Sequence, residues 1–165
     1  GLFILITQRP EQLLSTIRSR CQTIPFIGLN KNKLNKIINT LEVSLEIDDV
    51  PKDKIRELID FSYGSPGRYL INLKYWLSIS SQLREKLKIQ LTNQIELLQL
   101  AKEITDELNI EQQLWFIDFQ QNRAWIKEKN SNLVEQLEDL RKQLLKYVQP
   151  RLAWEIALLE INFID

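Results

Sequence analysis

Apolar residues recur at intervals of three and four positions through most of the chain after residue 29. This spacing places the apolar side chains on one face of an α-helix, and no other feature of the sequence restricts the fold as strongly. The connections between successive stripes are short, which favours antiparallel neighbours in a helical bundle. The sequence therefore predicts a mainly α protein.

Four of these stripes lie between residues 82 and 165, and each predicts a helix with a buried apolar face. The aromatic residues in this part are spaced too closely for one face, so some of Trp115, Phe116, Phe119 and Trp125 are expected to be exposed or at an interface. Core packing is the simpler interpretation for Trp125 and Trp154. The four predicted faces are Leu87, Leu91, Ile95, Leu98 and Ala101; Leu114, Ile117, Ala124 and Trp125; Leu133, Leu137, Leu140, Leu144 and Val148; and, after Pro150, Leu152, Ile156, Leu159 and Phe163.

Residues 29–81 predict a compact unit of three helices. Asn30 is a suitable cap for the first helix, and Asp48 and Asp49 come just before the second. Gly64 predicts the end of that second helix, and Ser65 followed by Pro66 predicts the start of the third. The predicted inner faces are Leu34, Ile37, Ile38 and Leu41; Ile55, Leu58 and Ile59; and Leu70, Leu73, Trp76 and Leu77.

Residues 1–28 follow a different pattern. The continuous apolar run from Leu2 to Ile6 is typical of a strand buried on both faces, and Cys21 to Ile27 is also extended in character. A short helix starting near Pro10 is expected between them. This order is an α/β pattern, and two strands do not form a stable sheet alone. We therefore expect the tail of an α/β core, and a chain that is a fragment of a longer protein.

Composition excludes several classes of site. The chain has no His and one Cys, which argues against the usual zinc sites, a Ser-His-Asp device and a disulfide framework. We expect Cys21 to be a small buried residue. The 22 basic and 22 acidic residues balance, which argues against a stand-alone nucleic-acid-binding module. With no membrane-length apolar run and no signal-peptide pattern, the prediction is a cytoplasmic chain.

Two arginines, Arg18 and Arg20, follow the end of the short helix, and Thr7 ends the first predicted strand. Ligands of open α/β sheets bind at the carboxyl ends of strands. An arginine at the far end of the following helix points away from that pocket, so it is placed to reach the ligand of a neighbouring subunit.

The stretch Thr7–Gln22 resembles the bacterial clamp-loader subunits of the AAA+ family, most closely the delta-prime subunits of DNA polymerase III. The sequence Ser19, Arg20 and Cys21 matches the hallmark of that family. The resemblance implies that Arg20 is an arginine finger inserted into the ATP site of the adjacent subunit. It also implies that Thr7 occupies the sensor 1 position.

A second motif, made of Gly64, Ser65, Pro66, Gly67 and Arg68, resembles the sensor 2 motif of the same family. The resemblance implies that Arg68 is the nucleotide-associated arginine of that motif. A looser similarity links Pro150–Glu160 to the last helix of the family's collar domain.

The resemblance implies three domains: the end of the AAA+ core at 1–28, the lid at 29–81 and a helical collar at 82–165 that holds subunits in a ring. It implies a subunit that assists ATP-driven loading of the sliding clamp on primed DNA, beside tau/gamma and delta subunits. The Walker A and Walker B elements would precede residue 1, so this chain is expected to hold no cofactor, with ATP and Mg²⁺ in neighbouring subunits. Self-association of the collar is a further expectation.

Two alternatives stay open at this point. The first is an ATP-hydrolysing subunit of the tau/gamma type, although Thr16, Ile17 and Arg18 favour the delta-prime type. The second is a non-enzymatic helical adaptor, which close packing of residues 1–28 onto the chain's own helices would favour. The lysines Lys31, Lys33 and Lys36 are interpreted as a solvated face, with a DNA-facing patch as the alternative.

Overall fold

The computed structural model describes residues 1–7, 9–45, 50–87, 93–146 and 148–162. These residues form helices and no strand, so the prediction of a mainly α protein is confirmed. A short 3₁₀ turn lies at Pro10–Gln12 and a π-helical turn at Ala124–Glu128. The α-helices are α1 (Ser15–Arg18), α2 (Lys31–Leu45), α3 (Lys52–Phe61), α4 (Pro66–Ser78), α5 (Ser81–Lys86), α6 (Gln94–Glu107), α7 (Ile110–Arg123), α8 (Ser131–Leu145) and α9 (Pro150–Asn162).

The two strands predicted in residues 1–28 are wrong for the described residues, although α1 forms between them. Each side chain from Leu2 to Ile6 is at least 57 % exposed, and Phe26 and Ile27 are exposed as well. A strand is stable only when its backbone N–H and C=O groups pair with another strand, and no such partner lies within the described chain. We call residues 1–27 the N-terminal arm and residues 29–162 the helical body.

Helices α2 and α4 begin where their capping residues predict, whereas α3 begins at Lys52 after Pro51 with no side-chain cap. Asn30 Oδ1 accepts a hydrogen bond from Lys33 N at 2.9 Å, and Ser65 Oγ accepts one from Arg68 N at 3.3 Å. The predicted faces are partly confirmed, because Leu34, Ile38, Leu58, Leu73 and Trp76 are buried. Ile37, Leu70 and Leu77 are exposed instead, since the buried face of α4 is centred on Tyr69, Asn72, Leu73 and Trp76. Leu41, Asp48 and Asp49 lie outside the residues whose side chains are described.

Helices α6 to α9 form the bundle, in which α9 packs against α6 and α8, and α8 packs against α7. The face predicted for α8 is confirmed by buried Leu137, Leu140 and Leu144. The single stripe predicted from Leu87 to Ala101 is divided between α5 and α6, and Leu91 lies outside the described residues. Helix α6 begins at Gln94 because Asn93 caps it.

Two predicted bundle faces differ from the buried ones, although Ala101 of the face predicted for α6 is buried. Helix α6 buries Leu97, Leu100, Ala101 and Ile104 while Ile95 and Leu98 are exposed. Helix α9 buries Ala153, Trp154 and Ala157 while Leu152 and Ile156 are exposed. Both helices carry apolar residues on more than one face, so spacing alone cannot select the buried one. Phe163 lies outside the described residues.

Helix α7 is the centre of the helical body. Trp115, Phe116 and Phe119 are all buried, because α3 and α4 cover one side of the helix and α8 and α9 cover the other. Trp154 is buried as expected, whereas Trp125 is exposed. The buried residues of α2 to α9 form one hydrophobic cluster, which crosses the domain boundary predicted between residues 81 and 82. That boundary stays a prediction. Within the described ranges, every helix is too short or too polar to cross a membrane.

Candidate functional site

Arg20 lies in a tight turn that ends α1. Arg20 N donates to Ile17 O at 3.1 Å, Cys21 N donates to Arg18 O at 3.3 Å, and Ser19 Oγ donates to Thr16 O at 3.3 Å. The Arg20 side chain is exposed, and no ion pair to it forms within the described part of the chain. The burial expected for Cys21 is wrong, because its free thiol is exposed and no segment among the described residues covers this turn.

Thr7 is exposed on the N-terminal arm, ahead of the 3₁₀ turn. Its Oγ1 accepts a hydrogen bond from Arg9 N at 3.1 Å. Among the described contacts, none joins Thr7 to Arg20 or to Arg68. Their assignments as sensor and finger residues stay predictions.

Arg68 lies in the first turn of α4, directly over an aromatic ring. Its guanidinium carbon is 5.6 Å from the centroid of Tyr63, which is a cation–π distance. The hydroxyl of Tyr63 accepts a hydrogen bond from Asn122 Nδ2 of α7 at 2.7 Å. Tyr63 and Gly64 both have left-handed backbone angles, with φ of 50° and 81°. This turn aims Tyr63 at α7 and leaves the Arg68 side chain exposed.

The N-terminal arm joins the helical body at the loop that precedes α4. Leu29 N donates a hydrogen bond to Gly64 O at 2.8 Å. A Cβ atom on Gly28 would lie 2.5 Å from Tyr63 O, and one on Gly64 would lie 2.5 Å from Leu29 O. The two glycines therefore allow the backbones to cross in close contact. Spacing within either segment does not predict this crossing, since the two glycines are distant in sequence.

An aromatic seam, made of Phe61, Tyr63, Tyr75, Trp76, Trp115 and Phe119, lies between α7 and the helices α3 and α4. Trp115 and Phe119 are stacked, with centroids 5.5 Å apart and planes at 11°. Trp115 Nε1 donates to Asn72 Oδ1 at 2.9 Å, and on the other side Trp154 Nε1 donates to Gln113 Oε1 at 2.9 Å. A buried indole N–H group usually has an acceptor, although within the described residues Trp76 Nε1 has none. The need for an acceptor could have identified Asn72 and Gln113 as core residues. Because both are polar, the hydrophobic pattern of their helices alone would place them on the exposed face.

A charged cluster borders the seam. The Lys54 amine lies 4.6 Å from the centroid of Trp76 and pairs with Glu57, and Glu57 also pairs with Lys127 of the π-helical turn. Burial raises the pKa of Glu57, but hydrogen bonds and charges from Lys127 and Lys54 outweigh it, so the pKa lies below its ordinary value. The cluster links α3 to the end of α7.

The remaining candidate residues, the three lysines of α2, lie on its exposed side. Lys31 pairs with Asp60 at 2.6 Å, and Lys33 and Lys36 are exposed on α2. The described residues contain no group of three or more His, Cys, Asp or Glu side chains placed to hold a metal ion.

In a comparison with protein-family models, the helical body matches a domain of a DNA polymerase III subunit. Residues 32–161 match the family described as cyanobacterial DNA polymerase III delta prime, C-terminal domain, and the chain belongs to that family. Comparisons with curated proteins and with solved structures give no match. The matched range includes Arg68 and begins after Thr7 and Arg20, so it does not bear on the latter two residues.

Proposed function

We propose that the chain is part of an ATP-driven loader that places the sliding clamp on primed DNA, in a ring with tau/gamma and delta subunits. The family match over residues 32–161 carries this proposal, since a delta-prime domain belongs to the clamp-loader complex of DNA polymerase III. The proposal places the protein in the cytoplasm. It assigns the binding of ATP and Mg²⁺ to neighbouring subunits. It assigns to residues 82–165 the contacts that hold the subunits together in a ring.

In the proposed mechanism, Arg20 enters the ATP site of the adjacent subunit. A guanidinium at the γ-phosphate stabilises the charge that develops on the transferred phosphoryl group. Two observations support this role: the Arg20 side chain is exposed, and within the described residues no carboxylate neutralises it. Ser19 and Cys21 set the turn from which Arg20 projects.

The proposal also gives Arg68 and Thr7 nucleotide-associated roles, with Gly64, Ser65, Pro66 and Gly67 forming the turn and first residues of the Arg68 helix. The support for Arg68 is its exposure beside the capped N-terminal end of α4, where backbone N–H groups favour an anion. Thr7 is supported by the sequence resemblance alone.

The helical adaptor is the less supported alternative. Close packing of residues 1–28 onto the chain's own helices would favour it, and the side chains from Leu2 to Ile6 are exposed instead. The tau/gamma-type alternative is less supported as well, because the matching family is the delta-prime one.

The test compares Arg20→Ala with Arg18→Ala in a reconstituted loader that contains the full-length subunit. Gel filtration first establishes that both variants assemble, and ATP hydrolysis is then measured with clamp and primed DNA. An arginine finger contributes about 10³- to 10⁵-fold to the rate at its site. We expect Arg20→Ala to lose most of the stimulated turnover, and Arg18→Ala, with the same charge change two residues away, to keep it. Equal turnover in the two assembled variants would overturn the finger role.

A further inference from the structure

Tyr63 adopts a backbone conformation that a bulky side chain rarely takes. Its φ is 50°, in the left-handed region where glycine is common and a tyrosine is an outlier. Such a conformation costs free energy, persists only where the surrounding structure holds it, and occurs most often at functional sites. Burial does not account for the tyrosine, because Tyr63 is 58 % exposed. Specific contacts of its ring and hydroxyl account for it better than core packing does.

Tyr63 is held at both ends. At the backbone, Leu29 N donates to Gly64 O at 2.8 Å, and a Cβ atom on Gly28 would lie 2.5 Å from Tyr63 O. At the tip of the side chain, Asn122 Nδ2 of α7 donates to the Tyr63 hydroxyl at 2.7 Å. These two attachments belong to different segments of the chain, and together they set the plane of the ring.

Arg68 lies over the ring that is held in this way. Its guanidinium carbon is 5.6 Å from the ring centroid, and a cation at this distance is attracted by the negative face of an aromatic ring. Within the described residues Arg68 forms no ion pair, so no carboxylate there competes with the ring for its charge. A long side chain that is already held in one place loses less conformational freedom when it binds a ligand. The ring therefore prepares the arginine for contact with an anion.

We propose that Tyr63 is a positioning residue for Arg68, and that Asn122 fixes Tyr63 from α7. This inference rests on the nucleotide-associated role proposed above for Arg68, and it adds the two residues that set the guanidinium. Neither of them needs to touch the nucleotide. Because Asn122 lies in the predicted collar, the position of an arginine of the predicted lid then depends on a helix of the next predicted domain.

The contact is tested first on the 165-residue chain, by NMR of the Arg68 side chain. An aromatic ring shifts the resonances of protons that lie over its face, so the Arg68 side-chain resonances should move in Tyr63→Leu. Tyr63→Phe keeps the ring and should keep most of the shift, whereas Asn122→Ala frees the ring and should reduce it. Trp125→Leu is the matched control, because Trp125 is similarly exposed and, among the described residues, does not contact Arg68. Arg68 resonances that stay unchanged in Tyr63→Leu would overturn the proposal.

The role is then tested in a reconstituted loader that contains the full-length subunit. Once gel filtration has shown that each variant assembles, KM for ATP and kcat are measured with clamp and primed DNA. Arg68→Gln should raise KM, and Tyr63→Leu should raise it about 2- to 5-fold with kcat little changed, as expected for one cation–π contact at an exposed site. Tyr63→Phe should restore most of that loss. Tyr63→Leu combined with Arg68→Gln should be no worse than Arg68→Gln alone, because Tyr63 acts through the arginine.

The outcomes separate this inference from the proposed function. If Arg68→Gln raises KM and Tyr63→Leu does not, Tyr63 does not position the arginine and the inference fails alone. The same holds if Tyr63→Leu adds its full effect to that of Arg68→Gln. If Arg68→Gln leaves KM unchanged, the nucleotide-associated role fails and the inference fails with it. None of these results alters the comparison of Arg20→Ala with Arg18→Ala.

Discussion

Lys54 is a buried cation whose charge is compensated by its neighbours on three sides. Its amine lies over the rings of Trp76 and Phe119, at 4.6 and 5.2 Å from their centroids, and pairs with Glu57. Removing one member of a buried ion pair leaves the other charge uncompensated. The resulting loss of stability is larger than the net stabilisation that the intact pair provides. The Glu57 carboxylate therefore forms ion pairs with two cations, Lys54 and Lys127, at the contact between α3 and the end of α7.

The stability that Glu57 contributes should depend on pH in a defined direction. Its pKa in the folded protein lies below the ordinary value of 4.5. A carboxyl group of this kind stabilises the fold fully above its unfolded pKa, and the contribution is lost as pH falls through the lower folded pKa. We expect Glu57→Gln to be clearly destabilising in urea unfolding at about pH 6, with a difference from the unchanged chain that shrinks towards about pH 3.

The control for this titration is Glu160→Gln, which makes the same chemical change at an exposed position on α9. Its effect should be small at both pH values. A Glu57→Gln difference that stayed constant down to about pH 3 would contradict the prediction, because the effect would then not come from the charge.

For a single helix, the local sequence predicts where the helix begins better than which of its faces is buried. The starts of α4 and α7 follow from side chains next to them in sequence, since Ser65 accepts from Arg68 N and Asn109 forms a capping box with Gln112. The crossing of Leu29 over Gly64 involves residues distant in the sequence, and no local pattern encodes it.

The crossing of Leu29 over Gly64 should not tolerate a side chain at Gly64. Gly64 has a φ of 81°, and its Cβ would lie 2.5 Å from Leu29 O and 2.7 Å from Leu29 N. We expect Gly64→Ala to lower the free energy of unfolding by about 1–3 kcal/mol through backbone strain alone, with the contact to Leu29 adding to this. Thermal unfolding followed by circular dichroism would measure it.

Gly67 provides the matched control three residues away. It lies inside α4, and an added Cβ would meet only Ser65 Oγ at 4.0 Å. Gly67→Ala should therefore raise the stability by about 0.5–1 kcal/mol, because alanine favours the helix. The two substitutions should act in opposite directions, and a stabilising Gly64→Ala would disprove the crossing.

The buried face of a helix is harder to predict than its ends. Helix α9 has apolar residues on two sides, and the structure buries Ala153, Trp154 and Ala157 in place of the larger Leu152 and Ile156. The small alanines let α6 and α8 approach closely while Trp154 fills the space between the helices. That choice depends on the shape of neighbouring helices. It cannot be derived from the spacing within α9.

At the scale of the whole molecule, one hydrophobic cluster extends from α2 to α9. The aromatic seam joins the two predicted domains within it. We expect residues 29–162 to unfold in a single transition, with the same urea midpoint by circular dichroism and by tryptophan fluorescence. Phe119→Ala, in the seam, should lower the free energy of unfolding by about 3–5 kcal/mol and leave the two midpoints coincident. Two separate transitions would show that the seam does not couple the two parts.

The crossing at Gly28, Leu29 and Gly64 also relates two arginines to one turn. The segment that carries Arg20 leaves the helical body where Leu29 N donates to Gly64 O, and the Arg68 helix begins directly after that turn. A substitution that displaces the turn is therefore expected to change the position of both arginines and not of one alone.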